Sequence, residues 1–372
     1  MRFLSHIRSY IWIRVAARYK NAIGSILAIY FFVSGIVVIK TSAVIMGESL
    51  AEKIVLLIQD TTSGVFTGWI GTALIQSSGA FDSIIVTFTS SGVIPLALAV
   101  ATIIGAEIGT AVTPFLVSVL GHLRGGKRLA ASYNITMSHV LYNLFTLLLF
   151  YPAELFFGFF SNIALRGKDI FIKAPWISAF PDLIEIATPW IDVLFEFIPA
   201  WLGLIIGGAM LIGALVALEK YMTAIFSMPR SWNLIRATFA KPFRAFLAGF
   251  LFTIIVPSTS VMVSILVPLA GSGAILADYY ILPYILGANI GTVFDVMIAA
   301  LATGDPVSLG VWLVHLSINL MGALIFMPLL KPFSRLVRWA AELVASSPRI
   351  ALAIAVLFYA IPIGILVVVY IL

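Results

Sequence analysis

The sequence predicts an all-α polytopic membrane protein built from two inverted-topology repeats, each with a re-entrant helical hairpin, plus an extra C-terminal transmembrane helix. Three observations carry that expectation. Hydrophobic residues fill 62% of the 372 positions and charged residues 10%, with a mean hydropathy of +1.12, where soluble domains carry roughly 25% charged residues. Several apolar runs, such as Phe197 to Leu218 and Ala351 to Leu372, reach the roughly 20 residues that cross a bilayer as a helix. Three polar strings recur in the same order in both halves of the chain.

Taken in order, residues 1–21 form a basic segment in which Arg2, Arg8, Arg14, Arg18 and Lys20 alternate with Tyr, Ile and Trp. That composition suits an interfacial helix on anionic lipid. The apolar run behind it extends to about Met46 without a small-residue cleavage site, so a cleaved signal peptide is the weaker reading. Repeat 1 covers 22–153, with spans at 22–46, 94–120 and 131–153 and an interrupted apolar segment at 66–92. An external linker covers 154–196. Repeat 2 covers 197–331, with spans at 197–218, 280–301 and 308–331 and an interrupted segment at 246–272. The extra helix is 350–372.

The net charge of +6 does not point to nucleic acid, because the basic residues lie before the first span and in short loops, which is the pattern of an orientation signal. With no cysteine there is neither a disulfide nor a thiolate metal site.

The interrupted segments are broken at their centres by Gln76-Ser77-Ser78-Gly79 and Pro257-Ser258-Thr259-Ser260. If both crossed fully, Arg124, Lys127 and Arg128 would lie opposite the basic N-terminus, against the positive-inside bias. If each enters and leaves by one face, the basic loops at 124–128, 220–244 and 331–349 all become cytoplasmic. Asp305 and the 154–192 region then become external. Non-helical backbone at membrane depth is tolerated only inside protein or along a polar cavity, so re-entrant hairpins imply such a cavity.

The recurring strings complete the repeat. Ile75 to Ile85 aligns with Val256 to Leu266, Gly105-Ala-Glu-Ile-Gly-Thr110 with Gly287-Ala-Asn-Ile-Gly-Thr292, and His139-x3-Asn143 with His315-x3-Asn319. An odd number of crossings between the halves makes the topology inverted. In transporters such repeats put substrate and ions near the midplane on broken helices.

The Gly71-Thr-Ala-Leu-Ile-Gln-Ser-Ser78 string, the two Gly-Ala-x-Ile-Gly-Thr strings and the two His-x3-Asn strings together resemble the type II sodium/phosphate cotransporter family over roughly residues 25–330. The resemblance implies secondary active transport of inorganic phosphate with Na+ as coupling ion, and a role for Gln76, Ser77 and Ser78 in binding both. Pro257 to Ser260 stands where the family carries a second Gln-Ser-Ser run, and Glu107 replaces the usual Asn. A carrier of another small anion, coupled to sodium or protons, and a channel remain alternatives.

The motif chemistry fits that implication. Helix starts leave N–H groups free and helix ends leave carbonyls free, the first suited to an anion and the second to a cation. The expected substrate-binding residues are Gln76, Ser77, Ser78, Gly79, Ser258, Thr259, Ser260 and Asn289. Those expected at sodium are Gln76, Ser78, Asp82, Glu107, Thr110, Thr292 and Asp295. Pro257 is expected at the first position of the following half-helix. The Gly105-x3-Gly109 and Gly287-x3-Gly291 spacings read as close helix approach. His139 and His315 read as groups orienting nearby backbone, with Asn143 and Asn319 on the same faces. Lys40 is expected to snorkel outward. No Gly-x-Ser-x-Gly, Ser-x-x-Lys or His-Glu-x-x-His pattern supports an enzyme. The expected location is the plasma membrane with a cytoplasmic N-terminus, embedded in the lipid bilayer. The sequence leaves the oligomeric state open, a homo-oligomer included.

Overall fold

The computed structural model describes residues 2–47, 49, 52–53, 56–126, 128–173, 188–226, 238–271, 273 and 280–371, with backbone alone at 2–18, 219 and 222–226. Lys127, residues 227–237 of the expected 220–244 loop and residues 174–187 of the expected linker lie outside the described residues. All regular structure among the described residues is helical.

The first half contains α1 (Arg2–Met46), α2 (Thr61–Ile75), α3 (Ser78–Ser90), α4 (Leu96–Gly109), α5 (Val112–Leu123), α6 (Leu129–Phe157) and α7 (Phe159–Ile172). Then come α8 (Trp190–Phe197), α9 (Ala200–Phe226), α10 (Pro242–Ile255), α11 (Thr259–Gly271), α12 (Ile281–Thr303), α13 (Pro306–Phe326), α14 (Leu330–Ala345) and α15 (Pro348–Ile371). Seven stretches are long and apolar enough to cross a bilayer: 19–46, 96–123, 129–157, 200–218, 281–303, 306–326 and 348–371. They coincide with the seven runs read from hydropathy. The basic segment is continuous with the first span as one helix, and the segment expected to be a linker contains α7 and α8.

The four short helices α2, α3, α10 and α11 flank the two motif breaks. Helix α2 opens with a capping box, Asp60 accepting from the Ser63 N–H at 2.7 Å and the Ser63 hydroxyl accepting from the Asp60 N–H at 2.8 Å. It ends at Gln76, whose backbone is left-handed (φ 60°, ψ 22°) and whose N–H donates to the Thr72 carbonyl at 2.7 Å. A side chain pays steric strain in that region, so the chain leaves the helix there. Ser77 is extended and caps α3 by accepting from the Ala80 N–H at 3.3 Å. The second break uses different chemistry. Val256 is extended, Pro257 supplies no N–H to continue α10, and Ser258 accepts from the Val261 N–H at 3.3 Å. Because α11 begins at Thr259, Pro257 stands two residues ahead of the position expected for it.

Equivalent helices pair in equivalent ways. Helix α2 packs on α4 and α10 packs on α12, both through glycine. A Cβ on Gly109 would stand 2.6 Å from the Trp69 carbonyl oxygen, and one on Gly291 would stand 2.6 Å from that of Phe250. Only a missing side chain lets backbones meet so closely. The long helices α1 and α9 cross at Gly35 and Gly207, each facing the other's carbonyl. Helix α7 lies on α13 while α14 lies on α6, so each half covers the other. The amphipathic α14 buries Phe333, Val337, Ala341 and Val344. Helix α15 packs on α2 and α5 but leaves most of its apolar surface outward, as lipid contact requires.

Candidate functional site

The polar groups of the interior gather where the two halves meet. Glu107, on α4, lies at its centre: its Oε1 accepts from the Asn319 amide at 2.7 Å and faces the His315 Nε2 at 2.9 Å. Both partners come from α13, in the other half. The Glu107 backbone carbonyl accepts from the Asn143 amide at 2.8 Å. On its other side, the His315 ring presents Nδ1 to the Asp82 carboxylate of α3 at 3.5 Å. A neutral imidazole carries one N–H and can donate to one of these carboxylates; an imidazolium serves both. Asp82, Glu107 and His315 are all at least nine-tenths buried, and an unpaired charge there would be costly.

The other half carries the same arrangement in neutral form. Asn289 takes the place of Glu107, and its amide reaches the Asn143 side chain at 3.5 Å. His139 lies beside Asn289 without a well-aligned hydrogen bond. Val263 fills the position equivalent to Asp82. One side of the core is therefore acidic and the other uncharged.

Each helix break also leans on the opposite half. At the first, the Asp295 carboxylate of α12 packs directly against Gly79 in the opening turn of α3, so close that a Cβ on Gly79 would come within 2.7 Å of the Asp295 Cγ. Asp295 Oδ1 also accepts from the Val296 N–H at 2.6 Å. At the second break, the Ser260 hydroxyl donates to the Thr110 carbonyl at 3.0 Å, where α4 gives way to α5. The Thr259 hydroxyl donates to the Ala288 carbonyl at 3.0 Å.

Of the expected site residues, Ser78, Gly79, Asp82, Glu107, Thr110, Ser258, Thr259, Ser260, Asn289, Thr292 and Asp295 are buried in this region. Ser77 is half-buried, and Gln76 is exposed, its main part in the structure being the left-handed end of α2. Among the described residues no three acidic or histidine side chains converge closely enough to hold a metal ion. A cation bound here would need hydroxyl and carbonyl oxygens beside at most two of these side chains.

Two expectations are corrected. His315 does not orient backbone; it stands between two carboxylates, since the fold brings Asp82 and Glu107 to its ring, and both are stronger acceptors than a carbonyl. Lys40 does not snorkel outward. Its ammonium donates to the Thr303 carbonyl at 2.6 Å, satisfying the end of α12 where the helix dipole favours a cation. Neither partner could be read from local spacing, because both lie in the opposite half.

Fold and site together define a polytopic helical membrane protein with a buried, partly acidic core at two helix breaks. Residues 31–166 and 210–363 match the Na+/Pi-cotransporter family model. The chain belongs to that family, one of transporters rather than enzymes. Among its relatives, sodium-dependent phosphate transport protein 2A of Rattus norvegicus is 25% identical over 391 residues, covering 83% of this chain and 60% of the relative. Sodium-dependent phosphate transport protein 2B of Bos taurus is 25% identical over 409 residues, covering 83% and 58%. The human 2B protein is 24% identical over 410 residues, with the same coverage. The chain thus spans about 60% of the length of the relatives it matches. No solved structure matches the chain.

Proposed function

We propose that this protein is a secondary active transporter that couples sodium to the movement of inorganic phosphate across the plasma membrane by alternating access. The observation that carries the reading is the reciprocal support of the two helix breaks, Gly79 against Asp295 and Ser260 against Thr110. A binding region assembled from both halves changes its accessibility when the halves move against each other. In this reading 66–92 and 246–272 are re-entrant hairpins of two inverted repeats, and the N-terminus is cytoplasmic.

The first turns of α3 and α11 offer N–H groups and hydroxyls to phosphate, through Ser77, Ser78, Gly79 and Ser258, with Gln76 and Asn289 at the edges; Thr259 and Ser260 join them when their hydroxyls turn from the Ala288 and Thr110 carbonyls to the anion. Asp82 and Asp295, with Ser78, Thr110 and Thr292, supply oxygens for sodium. Glu107, already engaged by His315 and Asn319, adds negative charge from behind. This excess of carboxylates attracts cations, and bound cations offset the charge of the anion.

Uptake of labelled phosphate into proteoliposomes tests the reading. An inward sodium gradient should drive accumulation that a potassium gradient does not. Ser78→Ala and Thr259→Ala should each weaken apparent phosphate affinity about tenfold, the scale of a hydrogen bond to a charged group. Uptake indifferent to sodium would remove the coupling, and wild-type phosphate affinity in both variants would move the site elsewhere.

A further inference from the structure

A groove of about 370 Å³ opens at one end of the molecule, between α5 and α6 of the first half and α11 of the second. Its walls are largely apolar: Val117, Leu120, Leu129, Val267 and Pro268. Arg124 stands in its lining, exposed. A second basic group lies at the same end, since Arg128 opens α6 and extends its guanidinium to Gly273, just past the end of α11. Gly121 contributes empty space, because a Cβ built on it would meet nothing within 4 Å. Leu120 and Leu123, on the same helix, are more than half exposed, so the groove is continuous with an apolar outer surface.

We propose that this groove binds an anionic phospholipid, an acyl chain lying along the apolar wall and the phosphate at Arg124. Charge complementarity decides the occupant. A free phosphate ion would use the arginine but gain nothing from the long apolar wall, and a neutral lipid would gain nothing from the arginine. A phosphodiester with an attached chain matches both features. On the topology read from loop charge, this end is the cytoplasmic face, where anionic lipid attracts basic groups. The groove touches both halves, and the Ser132 hydroxyl donates to the Val267 carbonyl across it at 3.2 Å. A lipid seated there bears on the relative position of α6 and α11. The inference is independent of which anion is transported.

Thermal unfolding of the purified full chain, titrated with phosphatidylglycerol or phosphatidylcholine, tests the proposal. Phosphatidylglycerol should raise the melting temperature more than phosphatidylcholine does. Arg124→Gln should weaken the phosphatidylglycerol effect about fivefold in apparent affinity, the factor one basic side chain supplies at an anionic surface. Gly121→Leu, whose Cβ meets nothing within 4 Å, puts bulk into the groove and should abolish the preference while leaving Arg124 in place. Equal stabilisation by both lipids, or an undiminished preference in both variants, overturns the proposal. Stabilisation by inorganic phosphate alone that disappears in Arg124→Gln identifies a free-anion site and also overturns it. Sodium-driven phosphate uptake, measured in phosphatidylcholine vesicles, reports on the transport reading separately.

Discussion

Asp295 and Gly79 form a close-packed contact between the halves, and they make a stringent test of the core. Adding one methyl at Gly79 drives it into the Asp295 carboxylate. Gly79→Ala should destabilise the protein by about 1 to 3 kcal/mol, the usual cost of overpacking. Shortening Asp295 removes the obstruction, so Gly79→Ala/Asp295→Ala should be more stable than the sum of the single changes allows, the signature of residues in contact. Strict additivity in unfolding measurements would show that the two do not press on each other. At this scale the sequence was partly legible. Asp82, Glu107 and Asp295 stood out as ionisable groups on apolar segments, because such residues must face a cavity or a partner. That His315 is the partner of two of them was not legible, since spacing along one helix carries no information about a helix more than 200 residues away. Lys40 was misread for the same reason, its acceptor being the far end of α12.

At the scale of helices, glycine decides how near α2 comes to α4, and α10 to α12. Gly105 and Gly287 press on the carbonyls of Val65 and Phe246, which belong to helical backbone and cannot rotate aside. Gly105→Ala should therefore force the helices apart and cost about 1 to 3 kcal/mol. Gly208 meets nothing within 4 Å, so Gly208→Ala should stay within about 0.5 kcal/mol of wild type. Fluorescence-detected size exclusion after heating ranks the two, and equal loss would refute close approach as the role of Gly105. The long apolar helices and both breaks were legible because hydropathy and turn chemistry are local. Helices α7 and α14 were not read in advance. Their charged faces lower the mean hydropathy below that of a span, and α14 gains its stability from the apolar stripe it lays on α6.

For the whole molecule, the inverted arrangement proposed above makes a statement about sides. Gly126→Cys should react with a membrane-impermeant thiol reagent from the cytoplasmic face only, and Asp305→Cys from the outside only. The chain has no cysteine of its own, so each signal has a single source. Reaction of both positions from the same face would end the inverted reading.

The link from Glu107 to Asn319 joins residues 212 positions apart, and that separation has a meaning in time. At roughly 5 to 20 residues per second, Glu107 is synthesised some 10 to 40 seconds before the amide that will hold it. For that interval the first half is in the membrane with its acidic core unsheltered. It has to wait against the insertion machinery, or with water drawn into the gap, until α13 arrives. A slow stretch of translation before α13 would lengthen that exposure.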